Sequence, residues 1–239
     1  MQSLLIERKE SKLNIPGLGE IEAVGFDIDG TLYRQWRLHL RMFFHFLRYN
    51  LFFLQYGLVR NEMHCMDRLE NFSEIQAERL ARRIHCSAEE SKLRLQKIVY
   101  DGLSGYFKTI PCCKYVPETF RAFYDAGLKI ALLSDFPPEQ KGELWGLKKY
   151  CTVVLGTEDI GALKPSAYPF TVMAEKLGVA PEHILYIGNS VKYDVLGSKK
   201  AGMKSAYFEP YWRMLFHRPL KEADISFNDY RQLQKIVLQ

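Results

Sequence analysis

Short apolar runs alternate with helix-like stretches over the second half of the chain, and this alternation restricts the fold more than any other feature. The runs LKIALLSD, CTVVLGT and HILYIGN are separated by two stretches that we predict to be helical, PPEQKGELWGL and SAYPFTVMAEKLG, and Gly178 is expected to end the second. Strands that alternate with helices of this length are typical of a parallel sheet with helices on both faces. The sequence therefore predicts a doubly wound, Rossmann-like α/β core.

One further apolar run, IEAVGFDIDG, lies near the start of the chain and predicts the first strand of the core. The polar residues before it, which end in NIPGLGE, are interpreted as a loose lead-in. Between about residues 35 and 114 no strand pattern is found. We therefore expect an all-helical domain at 35–114, inserted after the first strand of a core made of 1–34 and 115–239.

Two stretches of this helical segment begin with the pattern of a capping box. In SEIQAERLARRI the pair is Ser73 and Gln76, and in SAEESKLRLQKIV it is Ser87 and Glu90. Together with the apolar stretch before them, they predict three to five helices.

The first stretch of the helical segment, RLHLRMFFHFLRYNLFFLQYGLVR, is unusually rich in Phe and Leu. Arg41, His45 and Arg48 interrupt it, so the uncharged runs fall short of the ~20 residues that a membrane span needs, and no span is predicted. The apolar side chains recur at helical spacing, which favours a helix buried in a bundle. Contact with a membrane interface and a homodimer face are the alternatives. The apolar residues concerned are Phe43, Phe46, Leu47, Leu51 and Leu54.

Composition narrows the class of protein further. The chain has 239 residues, 47% of them apolar, and a net charge of +5 without a long Lys/Arg run. This balance does not predict a nucleic-acid partner, and it suits small anionic substrates equally well. The five cysteines contain no CxxC pair, so a reducing compartment is expected rather than a disulfide framework or a zinc site. The N-terminal apolar run is too short for a signal-peptide core, and we predict a cytoplasmic protein.

In doubly wound sheets, ligands bind beyond the carboxyl ends of the strands. Asp27 and Asp29 follow the first strand directly, and Gly30 and Thr31 complete a turn whose amides can face an anion. Two carboxylates this close can converge on a cation, or can divide the roles of nucleophile and general acid. An ordinary solvated Asp-Gly turn has the same pattern, so the motif alone does not decide.

Three later strand ends carry polar side chains as well. Ser134 and Asp135 follow one strand, Lys164 stands before a proline, and Asn189 and Asp194 lie in a turn that opens a helix. Taken singly, these residues are better explained by helix caps or by a surface lysine. Jointly they are more specific, because successive strand ends of a parallel sheet open on one crevice.

These strand ends carry a family resemblance. The stretches FDIDGTLY, IALLSDF, IGALKPSAYPF and ILYIGNSVKYDVLGSKKAGM are similar, in this order, to motifs of the haloacid dehalogenase-like hydrolase superfamily. The sequence resembles its phosphoglycolate-phosphatase-like branch with a helical cap. The matching region runs from about residue 24 to 208, and the helical segment stands where that cap is inserted.

The resemblance implies a role for each matching residue. Asp27 would attack phosphorus and become an aspartyl-phosphate, and Asp29 would protonate the leaving oxygen and then activate water. Lys164 would offset the negative charge. The phosphoryl group would be held by Gly30, Thr31, Ser134, Asp135 and Lys164.

The resemblance also implies one Mg²⁺ ion, held by the Asp27 carboxylate, the Asp29 main-chain carbonyl, and Asn189 and Asp194. Asn189 stands where this branch usually has Asp. Its amide keeps an oxygen ligand but loses one negative charge, so we expect weaker metal binding. Asp135 is a smaller departure, because Ser-Asn is common there.

The function predicted on this basis is Mg²⁺-dependent hydrolysis of a small phosphomonoester. The alternatives are other chemistry of the superfamily, namely a phosphomutase, a phosphonate hydrolase or a 2-haloacid dehalogenase. Dehalogenases of the superfamily lack the second Asp of the first motif, so Asp29 argues against them. A non-enzymatic binding protein with a weakened metal site is the third reading. The sequence does not name the substrate.

Overall fold

The computed structural model describes residues 12–210, 213 and 219–239. Six strands form one sheet in the order β5-β4-β3-β6-β7-β8, and every neighbouring pair is parallel. This confirms the predicted doubly wound sheet. The strands are β3 (Ala23–Phe26), β4 (Lys129–Ser134), β5 (Val153–Gly156), β6 (Ile184–Gly188), β7 (Lys204–Phe208) and β8 (Ile225–Phe227).

The sheet buries both of its faces, because alternate side chains of each strand enter different apolar clusters. Phe26 faces one side and lies 4.6 Å, between ring centroids, from Phe120. Tyr186 faces the other side, with its ring 4.8 Å from that of Phe170. The first face is covered by α6 (Val116–Asp125) and α10 (Tyr230–Leu238), and the second by α8 (Ala167–Leu177).

Gly25, in the middle of β3, lets α8 approach the sheet closely. A Cβ at this position would lie 2.8 Å from Met173 Cε and 2.9 Å from a ring carbon of Tyr186. The close packing therefore depends on the missing side chain.

Five helices lie between β3 and α6, and we call this segment the helical insert. They are α1 (Gln35–Arg48), α2 (Asn50–Met63), α3 (Phe72–Ile84), α4 (Ala88–Leu95) and α5 (Asp101–Thr109), with a π-helical turn over Gln96–Tyr100 between the last two. Ser87 caps α4 as expected, since its Oγ accepts a hydrogen bond from the Glu90 amide at 3.1 Å. The other predicted cap is wrong, because α3 begins at Phe72 and Ser73 lies inside its first turn.

The Phe- and Leu-rich stretch forms two helices that meet at Tyr49, not one continuous helix. The prediction that it is buried in a bundle holds for one side only. Leu38 and Met42 are buried, whereas the Phe43, Leu47, Leu51 and Leu54 side chains are more than half exposed. Helical spacing identifies two sides of a helix, but it does not say that both are covered. No helix in the described ranges is long and apolar enough to cross a membrane.

Two further expectations are wrong. Part of the supposed loose lead-in is an antiparallel hairpin of β1 (Leu13–Ile15) and β2 (Gly19–Ile21), anchored by the buried Ile15 and Ile21. Residues 1–11 lie outside the described residues. The stretch PPEQKGELWGL, expected to be helical, forms short 3₁₀ turns, because Gly142, Leu144 and Trp145 adopt positive φ.

The remaining helices are short and follow strand ends. Helix α7 (Thr157–Ile160) follows β5, and α9 (Leu196–Lys200) continues a π-helical turn over Val191–Val195 that follows β6.

Candidate active site

The polar strand ends meet because the three central strands are in register. Phe26, the last residue of β3, pairs with Leu132 of β4 and Ile187 of β6. Asp27 therefore lies near Ser134 and Asn189, each of which is two residues beyond these partners. This is the convergence expected at the carboxyl edge of a parallel sheet.

Asp27 is a buried carboxylate with two close partners. Its Oδ1 lies 2.7 Å from Lys164 Nζ, and its Oδ2 accepts a hydrogen bond of 2.7 Å from Thr31 Oγ1. Burial raises the pKa of Asp27 to about 7, with Lys164 opposing and Asp194 and Asp29 reinforcing the shift. Burial therefore favours the neutral form of the Asp27 carboxyl, whereas the ammonium group of Lys164 favours the ionised form.

Lys164 joins two buried carboxylates. Its Nζ also lies 2.8 Å from Asp194 Oδ1, and the Lys164 side chain is almost fully buried. Burial by itself would lower the pKa of Lys164, but Asp194 and Asp27 outweigh burial and raise the pKa well above its usual range. The lysine is therefore charged, and it links the Asp27 turn to the Asp194 turn.

Asp194 organises the turn after β6. Its Oδ2 accepts hydrogen bonds from the amides of Asn189 (3.1 Å) and Ser190 (2.9 Å). A Cβ at Gly188 would overlap the Asp194 side chain, so the glycine is required there. Both carboxylate oxygens of Asp194 are thus engaged within the protein.

Asn189 faces the first motif. Its Oδ1 lies 3.2 Å from Thr31 Oγ1, the hydroxyl that also contacts Asp27. Gly30 has a φ of 90°, and a Cβ there would overlap the Asn189 amide. The turn therefore needs glycine on both conformational and steric grounds.

Asp29 accepts hydrogen bonds from two hydroxyls. Tyr33 Oη donates to Oδ1 at 2.6 Å, and Ser134 Oγ donates to Oδ2 at 2.9 Å. Lys141 Nζ lies 3.2 Å from the same Oδ2. Burial, followed by the Asp29 charge, raises the pKa of Tyr33 well above its usual range, which keeps this phenol protonated as a donor.

Lys141 is a site residue that sequence reasoning missed. Its side chain is almost fully buried, and its Nζ also donates to Ser134 Oγ at 3.2 Å. The ammonium group lies 4.8 Å from the ring centroid of Phe107, on the helical insert. Lys141 belongs to the 3₁₀ turn after β4, in a stretch expected to be a helix, so no pattern indicated that it turns inward.

Asp135, predicted to contact phosphate, makes other contacts. Its Oδ1 accepts hydrogen bonds from Thr157 Oγ1 (2.9 Å) and from the Lys164 amide (3.3 Å). Its main-chain carbonyl accepts a hydrogen bond of 2.7 Å from Arg60 Nη2. Asp135 thus ties the loop that carries Lys164 to β4 and to the helical insert.

The helical insert contributes two side chains that the sequence did not indicate. Arg60 forms a buried ion pair with Glu158, at 2.6 Å, beside its bond to Asp135. His64 Nδ1 lies 2.5 Å from the carbonyl of Lys164, and burial lowers the pKa of His64. Helical spacing does not indicate which turn of α2 reaches the sheet, so neither residue could be predicted.

A cavity of about 600 Å³ lies between the sheet edge and the helical insert, and Gly30, Thr31, Ser134 and Lys141 are not among the residues that line it. It holds the predicted Asp27, Asp29, Asp135, Lys164, Asn189 and Asp194, and also Gln35, Arg60, His64, Phe136, Ser190, Val191 and Tyr193.

Oxygen donors dominate the wall around Asp27, which suits a hard cation such as Mg²⁺. Among the described residues, the acidic and histidine side chains close enough together to hold a metal ion are those of Glu20, Glu22 and His183, and Glu20 is exposed. The described side chains around Asp27 do not form such a group. A cation at Asp27 would thus rely on main-chain and amide oxygens as well as carboxylates.

Because Lys164 pairs with both Asp27 and Asp194, we expect two variants of these residues to differ in their free energy of unfolding. Lys164→Met leaves two buried carboxylates without their cation, so we expect the free energy of unfolding to fall by about 3 kcal/mol. Asp27→Asn leaves the Lys164–Asp194 pair intact, and we expect a change within about 1 kcal/mol. Urea unfolding followed by circular dichroism, without divalent metal, measures both.

The matched control is Lys176→Met, on the exposed side of α8. Equal stability of Lys164→Met and this control would contradict the account, as would an equally large loss for Asp27→Asn.

Similar sequences and folds support one family. Pyrophosphatase PpaX of Halalkalibacterium halodurans is 26% identical over 194 residues, which cover 78% of this chain and 83% of that protein. A phosphoglycolate phosphatase of Salmonella typhi is 29% identical over 125 residues, half of this chain and 48% of the relative. The match thus spans about half the length of that enzyme.

Among solved structures, the L-2-haloacid dehalogenase of Xanthobacter autotrophicus superposes with a TM-score of 0.62 at 17% identity, covering 91% of this chain and 98% of the other. This likeness shows the shared fold. The sequence model of the haloacid dehalogenase-like hydrolases matches residues 24–208, which hold the four strand-end motifs and the helical insert. The chain belongs to the haloacid dehalogenase-like hydrolase family.

Proposed function

We propose that the protein is a Mg²⁺-dependent phosphatase that hydrolyses a small phosphomonoester through an aspartyl-phosphate on Asp27. The observation that carries this proposal is the contact between the Asp27 carboxylate and Lys164 Nζ, 2.7 Å apart, in a cavity that also holds Asp29. A positioned carboxylate beside a fixed cation suits nucleophilic attack on an anionic substrate. The phosphatase names of two relatives are consistent with this reaction.

Charge repulsion is the main obstacle to this attack, since both the carboxylate and the phosphate are anionic. Burial disfavours the ionised form of Asp27, whereas the Lys164 ammonium favours it. The same ammonium can offset the charge that builds up on the phosphoryl group. Thr31 Oγ1, which donates to the other Asp27 oxygen, fixes the orientation of the nucleophile.

Asp29 is proposed as general acid and then general base. Tyr33 and Ser134 donate hydrogen bonds to its carboxylate, which orients it. That arrangement suits the second half-reaction, in which Asp29 takes a proton from the attacking water. For the first half-reaction, the leaving oxygen has to displace one of these donors to receive a proton from Asp29.

Ser134 and Lys141 are proposed to hold the phosphoryl oxygens. Lys141 Nζ lies 3.2 Å from Ser134 Oγ and from Asp29 Oδ2, so a second buried ammonium lies beside the proposed general acid. Asp135, whose carboxylate is occupied by Thr157 and the Lys164 amide, is assigned to loop positioning instead of phosphate contact.

The donors fit a magnesium ion. The Asp27 carboxylate, the Asp29 main-chain carbonyl and Asn189 Oδ1 are proposed to hold it, and the bound ion would supply charge neutralisation for phosphoryl transfer. Asp194 is assigned an indirect part, because its oxygens already bind Lys164 and two main-chain amides.

Asp27→Asn is expected to abolish the reaction, because an amide is not a nucleophile. Turnover of p-nitrophenyl phosphate, 2-phosphoglycolate and pyrophosphate, each with and without Mg²⁺, should fall on the order of a thousandfold or more. The matched control is Asp101→Asn, on α5 of the helical insert, which should keep wild-type rates. A wild-type protein without Mg²⁺-dependent turnover, or an Asp27→Asn variant that keeps its rate, would contradict the proposal.

Asn189→Asp tests the amide as a metal ligand. A carboxylate at this position adds one negative charge to the proposed ion's ligands, so the Mg²⁺ concentration for half-maximal activity should fall about tenfold. Asn71→Asp, exposed before α3, adds the same charge elsewhere and should leave the metal dependence unchanged. An unaltered metal dependence in Asn189→Asp would show that this oxygen does not bind the ion.

A further inference from the structure

The helical insert presents a large apolar surface to solvent. Phe44, Leu51 and Leu40 are 78%, 73% and 70% exposed, and single scattered apolar residues do not account for such a group. We call this surface the insert apolar face; it consists of Trp36, Leu40, Phe43, Phe44 and Leu47 on α1 and Leu51, Leu54 and Leu58 on α2.

The spacing places these side chains in one stripe on each helix. On α1 they recur at intervals of three, four and one, opposite the buried Leu38 and Met42. On α2 the exposed leucines follow at intervals of three and four, directly after the break at Tyr49. Each helix therefore buries one side in the protein and turns its other apolar side outward.

Charge along α1 and the first three turns of α2 is entirely positive. Residues 34–61 contain five arginines and no Asp or Glu. Arg60 is buried in the cavity wall, whereas Arg37, Arg41 and Arg48 are exposed and lie along one flank of the α1 stripe. The insert apolar face is thus bordered by guanidinium groups that no carboxylate of α1 or of the first three turns of α2 can pair.

We propose that the insert apolar face docks onto the surface of an anionic lipid bilayer. An amphipathic helix with Trp, Phe and Leu on one side and arginines beside them is the form that lies in a membrane interface. Acyl chains accept the apolar stripe, and lipid phosphates pair with the guanidinium groups. Helix α1 has 14 residues, which suits a helix lying in the plane of the interface.

A second copy of the chain fits the face less well. In a two-fold dimer the same face meets itself, which brings arginines of both copies together without carboxylates from residues 34–61 to pair them. Charge complementarity therefore favours the lipid surface.

Docking would also bring the cavity close to the bilayer. Gln35, at the start of α1, and Arg60 and His64, at the end of α2, line the cavity described above. Because α1 is about 20 Å long, the cavity would be held within one helix length of the lipid headgroups. This inference does not depend on the proposed phosphatase activity.

Co-sedimentation of the full chain with vesicles tests the proposal. We expect binding to phosphatidylcholine vesicles that contain about 30% phosphatidylglycerol, and weaker binding as salt is raised or the anionic lipid is omitted. The double variant Phe44→Ser/Leu51→Ser should lower the partition coefficient about tenfold or more. Leu93→Ser is the matched control, since Leu93 on α4 is 72% exposed but lies outside the face.

A charge variant separates the two contributions. Arg37→Gln/Arg48→Gln should weaken binding to the anionic vesicles roughly tenfold while leaving binding to pure phosphatidylcholine unchanged. Because all these positions are exposed, the thermal unfolding midpoint serves as a check that each variant is folded.

Three results would overturn the proposal. The first is no vesicle binding at low salt, and the second is undiminished binding of the folded Phe44→Ser/Leu51→Ser variant. The third is a concentration-dependent dimer, seen by sedimentation equilibrium, that the same variant dissociates while vesicles bind none of the chain; the face would then pair with a second copy.

Discussion

The contact of one buried lysine with two buried carboxylates determines the arrangement of the site. Lys164 bridges Asp27 after β3 and Asp194 after β6, and an unpaired charge at this depth would cost several kcal/mol. The loop that carries Lys164 must therefore fold back over the sheet edge. The Asp135 carboxylate holds the loop there by accepting a hydrogen bond from the main-chain amide of Lys164. The proposed chemistry reuses this structural cation: the charge that stabilises the turn also lies next to the proposed nucleophile.

A second buried ion pair links the helical insert to the core. Arg60 of α2 contacts Glu158 of α7 and the Asp135 carbonyl, and Tyr100 donates a hydrogen bond of 2.7 Å to Glu158. Of these residues, Arg60 and Asp135 line the cavity, so the ion pair fixes part of the wall that the insert contributes. The insert thus has two different surfaces: one that forms part of the cavity wall through paired charges, and one that turns apolar and cationic side chains outward.

The fold could be predicted from the spacing of apolar residues along the chain. The strand-end residues could be predicted because they directly follow the apolar runs. Parallel strands in register bring their ends together, so Asp27, Ser134 and Asn189 could be placed from sequence alone. The position of Lys141 could not be predicted. It depends on a 3₁₀ turn, and the spacing of apolar residues does not indicate the backbone conformation of such a turn. Nor could the exposure of Phe44 be predicted, since helical spacing distinguishes the sides of a helix without showing what covers each one. Residues placed by irregular backbone or by packing between domains are those that were missed.

The proposed mechanism requires that Asp27 itself becomes phosphorylated, and this covalent intermediate can be trapped. Wild-type protein mixed with a substrate of the panel and Mg²⁺ would be quenched in acid and analysed by peptide mass spectrometry. The account predicts a mass increase of one phosphoryl group on the peptide that contains Asp27, absent from Asp27→Asn. Turnover of the substrate without any such adduct, or with the adduct on another residue, would contradict it.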